Sequence, residues 1–157
     1  MASSLDVVHL YLQYGIYDSL IPASFFRSAP SLNTDTKFSP RPINTYGRKE
    51  RLNITLTSEI GNGATGHVLR GRLESEVDCV TPLDVAVKLA FDFEQRDALK
   101  NEYEVYRCLK SKGVYKGIVT SMGFFDDYDN AACALVMLYA GIPLSSESIC
   151  NLSTSDR

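Results

Sequence analysis

Three features of this sequence have residue types that could handle an anion. The first is the run Gly61-Asn62-Gly63-Ala64-Thr65-Gly66. Glycines reach positive φ and let backbone amides approach a polyphosphate with no Cβ in the way. An ordinary glycine-bearing hairpin has the same composition. The dinucleotide-binding fingerprint needs a helix directly after its glycines. Here the glycines run into His67-Val68-Leu69-Arg70, which reads as a strand, and no Gly-Lys-Ser/Thr follows to make a Walker loop. The second feature is Lys88, inside the apolar run Val85-Ala86-Val87-Lys88. A lysine there is costly to bury unless it meets an anion; on an edge strand it would simply lie in solvent. The third is Glu102, four residues after Ala98 and three before Val105 on an apolar helical stripe of Ala98, Leu99, Val105, Tyr106 and Leu109. Glu104 lies on the other side of that helix. A Lys88–Glu102 ion pair would account for two awkward charges at once; the alternative is a glutamate at the rim of the stripe, reaching out to water.

These residues need elements to position them. Leu52, Ile54, Leu56 and Ile60 alternate with polar residues, which predicts a half-buried strand ending in the glycine turn. His67–Leu73 and Asp84–Ala90 are the next two strands, the latter with Val85, Val87 and Leu89 on one face and Ala86, Lys88 and Ala90 on the other. Phe93–Lys112 is a helix, with acids in its first turn, lysines in its last and Gly113 as a stop. Ile118–Phe125 and Ala132–Tyr139 are two more strands around an acidic turn that includes Asp127 and Asp129. Before this block, Leu5–Tyr17 has weak helical spacing, and Ala23–Lys49 is rich in Pro, Ser, Thr and Asn, as a linker would be. The chain therefore divides into an N-terminal extension, 1–51, a domain, 52–144, and a serine-rich tail, 145–157. The expected fold class is α+β: a five-stranded antiparallel sheet packed with one long helix, plus an irregular N-terminal extension.

Composition narrows the function classes. The chain has 157 residues, 45% hydrophobic, with a formal net charge of −3. That charge offers no strong positive field for a nucleic acid backbone. No apolar run is long enough to span a bilayer, and no basic segment precedes an apolar one at Met1, so neither a membrane partner nor a secretory signal is expected. Cys79, Cys108, Cys133 and Cys150 form no CxxC pair, so no metal site is expected. Dispersed cysteines suit a reducing compartment, the cytoplasm or alternatively the nucleus.

Taken together, the glycine-rich hairpin, the Val-Ala-Val-Lys strand and the inward Glu102 resemble the N-terminal lobe of the protein kinases over Leu52–Leu144. The resemblance implies that ATP is the ligand. Gly61, Gly63 and Gly66 would fold over its phosphates, Ile60, Val68 and Ala86 would cover the adenine, and Lys88 would hold phosphate oxygens with Glu102 orienting it. Met137 would take the gatekeeper position, and the Leu138 carbonyl and the Ala140 N–H would bond the adenine. Thr65 departs from the aromatic residue usual at the loop tip. Ile60, Val68, Ala86 and Met137 would leave an exposed apolar patch, to be covered by a second lobe or by a protein partner.

The catalytic and magnesium-binding parts of that family are not in this sequence. There is no His-Arg-Asp loop, since the histidines are His9 and His67, and no Asp-Phe-Gly. The expectation is an ATP-binding portion of a protein-kinase-like protein, which by resemblance phosphorylates Ser/Thr but is inactive as this chain alone. The alternative is an inactive pseudokinase-like regulatory or interaction module. Whether the chain is a fragment, a truncated product or a genuine half-domain stays open, as do its substrate and oligomeric state.

Overall fold

The alternation around Leu52, Ile54 and Leu56 becomes, in the computed structural model, strand β3 (Arg51–Gly63). The structure describes residues 9–14, 23–27, 45, 47, 50–63, 66–74, 82–127 and 131–139. Within them lie seven strands and one helix: β1 (His9–Tyr14), β2 (Ala23–Arg27), β3, β4 (Gly66–Leu73), β5 (Leu83–Ala90), α1 (Phe93–Ser111), β6 (Ser121–Asp126) and β7 (Cys133–Leu138). The strands form a closed barrel in the order β1-β2-β6-β7-β5-β4-β3. Every pairing is antiparallel except β1 with β3, which is parallel and completes the ring.

This corrects the expected fold class. The sheet is not an open five-stranded one with an irregular N-terminal extension. β1 pairs with β3 from His9↔Arg51 to Tyr14↔Leu56, and β2 pairs with β6 at Phe26↔Asp126 and Arg27↔Phe125. Those contacts occupy the two edges an open sheet would expose, so the backbone groups there are bonded. The physical reason is alternation within β1. Leu10 and Leu12 are fully buried while Tyr11 and Gln13 are not, a period of two that the wider spacing of Leu5, Val8, Leu12 and Ile16 disguises as helical.

Two cores lie on opposite sides of the same strands. Inside the barrel, Leu10, Leu12, Phe25, Ile54, Leu56, Leu69, Val85, Val87, Leu89, Phe125, Ala134 and Val136 fill the lumen, as side chains fill a small barrel. On the outer face, Ala86, Ala90, Phe124, Cys133, Leu135 and Met137 meet Leu99 and Tyr103 of α1. Val85 and Ala86 therefore point into different cores, as strand alternation requires.

α1 is set by local chemistry. Asp92 caps its N-terminus, accepting from the Gln95 amide at 2.8 Å, and Gln95 in turn accepts from the Phe91 amide at 3.2 Å. Gly113, at φ +74, turns the chain out of the helix, and Val114 N–H caps the Leu109 carbonyl at 3.0 Å. The buried stripe differs from the expected one: Leu99 and Tyr103 are the buried positions, whereas Ala98 and Val105 are exposed. Arg96 anchors the first turns to β6 through Asp126, at 2.9 Å.

Candidate functional site

Strand register brings most of the candidate residues onto the outer face of the barrel beside α1. Lys88 stands opposite Val68 on one side and Leu135 on the other, and Val68 stands opposite Gly61. Ala86 is opposite Met137 in the adjacent row. The register of β3 against β4 skips between Glu59 and Gly61, so Ile60 is the extra residue of a bulge. That bulge turns Ile60 toward the outer core, against which it packs half-buried.

The centre of the site is one carboxylate. Lys88 Nζ donates to Glu102 Oε1 at 2.7 Å, with side-chain exposures of 22% and 21% for the two residues. Tyr106 Oη donates to the same oxygen, also at 2.7 Å. Partial burial, the hydrogen bond to Glu102 and its negative charge push the Tyr106 phenol up to about 12. Glu104 faces outward and pairs with Arg107 at 3.2 Å. The hydroxyl of Tyr106 was hidden in the sequence behind its role as an apolar stripe residue; its position four residues after Glu102, within reach along a helix, was the available signal.

The glycines divide into different kinds. At Gly66, with φ +118, an added Cβ would meet the Leu89 carbonyl oxygen at 2.0 Å, so the close approach of β5 alone demands glycine. At Gly61 an added Cβ would meet nothing within 4 Å. Gly63 pairs with Gly66 across the turn. Thr65, at the turn tip, lies outside the described residues.

The expected apolar patch is largely closed. Ala86 and Met137 are 8% and 4% exposed, covered by the helix-side core, and only Ile60 and Val68 remain half-buried. Leu138 N–H is used by the Thr120 carbonyl at 2.9 Å, and Tyr139 N–H by the Asp84 carbonyl at 3.1 Å. Arg70 holds the nearby end of β5, bound to Asp84 at 2.7 Å with its guanidinium 4.4 Å from the centre of the Tyr139 ring. Ala140, Cys79, Cys150, Asp129 and the tail 145–157 lie outside the described residues. Among the described residues no helix is long and apolar enough to cross a membrane, and no group of three acidic, histidine or cysteine side chains is placed to hold a metal ion.

No protein-family model matches this chain, and no curated protein matches it. The resemblance to the protein-kinase N-terminal lobe is corrected accordingly: it rested on short local patterns, no match supports it, and those patterns sit on a closed seven-stranded barrel rather than on a sheet-plus-helix lobe.

Proposed function

We propose that this chain is a nucleotide-binding module, with ATP as the ligand and no catalysis of its own, in which Lys88 contacts the phosphates beside the Gly61–Gly66 turn. The observation that carries this reading is the Lys88–Glu102 pair. An ammonium has three donors, and among the described residues one carboxylate oxygen occupies Lys88. Two N–H groups remain, and Lys88 shares its barrel face with Val68 and Gly61. The pairing fixes the amine in place without consuming it, as a phosphate-binding lysine needs. Glu102, held in turn by Tyr106, positions that lysine. An open, one-sided site of this kind supports affinities of roughly 10⁻⁴ to 10⁻³ M.

The test is a thermal melt of the full chain with increasing ATP. A saturable rise in melting temperature is expected, lost in Lys88→Met and weakened in Gly61→Ala, where an added Cβ meets nothing in the protein but crowds an approaching phosphate. No rise with the wild-type chain, or an equal rise in Lys88→Met, would overturn the reading.

A second reading, a module that acts by binding a protein, is favoured by the junction between β5 and α1. Phe91 and Phe93 there are 55% and 73% exposed, large aromatic surface that a partner could cover. A pull-down lost in Phe93→Ser, with ATP having no effect on the melt, would select it.

A further inference from the structure

A cavity of about 540 Å³ opens between the C-terminal half of α1, residues 114–120 and the start of β6. It is separate from the face that carries Gly61 and Val68, and its size falls in the range of pockets that hold small organic molecules. Val114, Ile118, Val119 and Met122 supply apolar wall. Its charged lining residues are Arg107 and Lys110, with no acid among the residues that line it. Glu104 engages Arg107 through one guanidinium nitrogen, leaving the rest of its fork for another acceptor. The helix carbonyls nearby would repel an anion if bare. They are not bare: Lys112, Gly113 and Val114 amides and the Ser111 hydroxyl take up those of Cys108, Leu109 and Lys110.

From this combination of apolar wall, the cation of Lys110 and an Arg107 fork only partly engaged by Glu104, we infer that the cavity binds a small amphipathic carboxylate. Its apolar body lies against Val114, Ile118 and Met122. Its carboxylate faces Arg107 and Lys110. Tyr106 is the wall this cavity shares with the Glu102 cluster, so an occupant touches the residue that bonds Glu102.

The experiment is an amide NMR titration of the ¹⁵N-labelled full chain with naphthoate, and separately with naphthylmethanol, its uncharged counterpart. Naphthoate should give saturable shifts confined to residues 103–123, with the alcohol about tenfold weaker. Arg107→Gln combined with Lys110→Gln, both at exposed positions, should reduce naphthoate to the affinity of the alcohol and leave the alcohol unchanged. Val114→Trp, at the rim, should weaken both. The proposal is overturned by no saturable shift with naphthoate, by shifts centred elsewhere, or by equal affinity for acid and alcohol that the charge variants do not alter. None of these outcomes depends on ATP binding.

Discussion

Tyr106 and Lys88 donate to the same atom, Oε1 of Glu102, each at 2.7 Å. One carboxylate oxygen therefore ties the middle of α1 to the centre of β5. Deleting it strands a partly buried ammonium and a phenol together, whereas an amide keeps one acceptor for them. Glu102→Ala is expected to cost about 2 kcal/mol in urea unfolding, and Glu102→Gln about half of that. Equal costs for the two variants would mean the shared oxygen contributes nothing as an acceptor.

Alkaline pH should loosen the interface between helix and barrel. The Tyr106 phenol is raised from 10.0 to about 12, chiefly by burial and then by Glu102. The Cys133 thiol is raised from 9.0 to about 12, chiefly by burial and then by Asp126. Both are acids whose folded value lies above the unfolded one, so the unfolded chain releases its protons first. Their contribution is complete below pH 9 and is lost as pH rises toward 12. Melting temperature should fall across that window, and Tyr106→Phe should flatten the fall above pH 10.

Acid should act on a different part of the ring. His9 is fully buried in β1, with Nε2 3.1 Å from Ser24 Oγ and its ring stacked on Phe26 at 5.1 Å. Burial, followed by the charge of Arg51, lowers its pKa below 6.5. The unfolded chain takes up this proton first, so stability should decline as pH falls below 6.5. His9→Phe should remove that slope while leaving the alkaline one, as read by melts over the same pH series.

Gly66 and Gly61 should separate cleanly. Gly66→Ala forces a Cβ onto the Leu89 carbonyl in a backbone conformation that side chains disfavour, and about 2–4 kcal/mol or loss of folding is expected. Gly61→Ala should melt within a degree or so of the wild-type chain, since such open sites usually change stability by less than about 0.5 kcal/mol.

The N-terminal strands can be weighed directly. Leu12 is fully buried in the lumen. Leu12→Ala should cost about 2–5 kcal/mol, the range for a truncated core leucine. A loose arm would show almost no effect in the same unfolding measurement.

Much of the candidate site could be read from local pattern. The Lys88–Glu102 pair was legible from strand alternation at Lys88 and from an inward helix face at Glu102, although Ala98 and Val105, which marked that face in the sequence, are exposed and Leu99 and Tyr103 are the buried positions. The positions of β4, β5 and α1 followed from short-range periodicities that the fold preserves. Barrel closure did not, because pairing His9 with Arg51 or Phe26 with Asp126 leaves no mark in either segment alone. Tyr103 was missed because a tyrosine reads as amphipathic, although it follows Leu99 by one helical turn and is only 8% exposed. The cavity at the end of α1 was invisible for a related reason: its walls come from a helix, a loop and a strand that share no periodic signal.

The ring that closes this barrel also governs the order of its assembly. β3, β4 and β5 follow one another in sequence and pair in that order, while the contact between residues 26 and 126 must gather most of the described chain. Non-local pairing of that kind slows folding, because chain entropy is surrendered before the contact rewards it. The parallel β1–β3 seam and the β2–β6 seam are therefore expected to form after the β3–β4–β5 pairings, and until they do the lumen leucines would stand open to water. A newly made chain is most exposed to misassociation in that interval, when two strand edges and the lumen face are uncovered together.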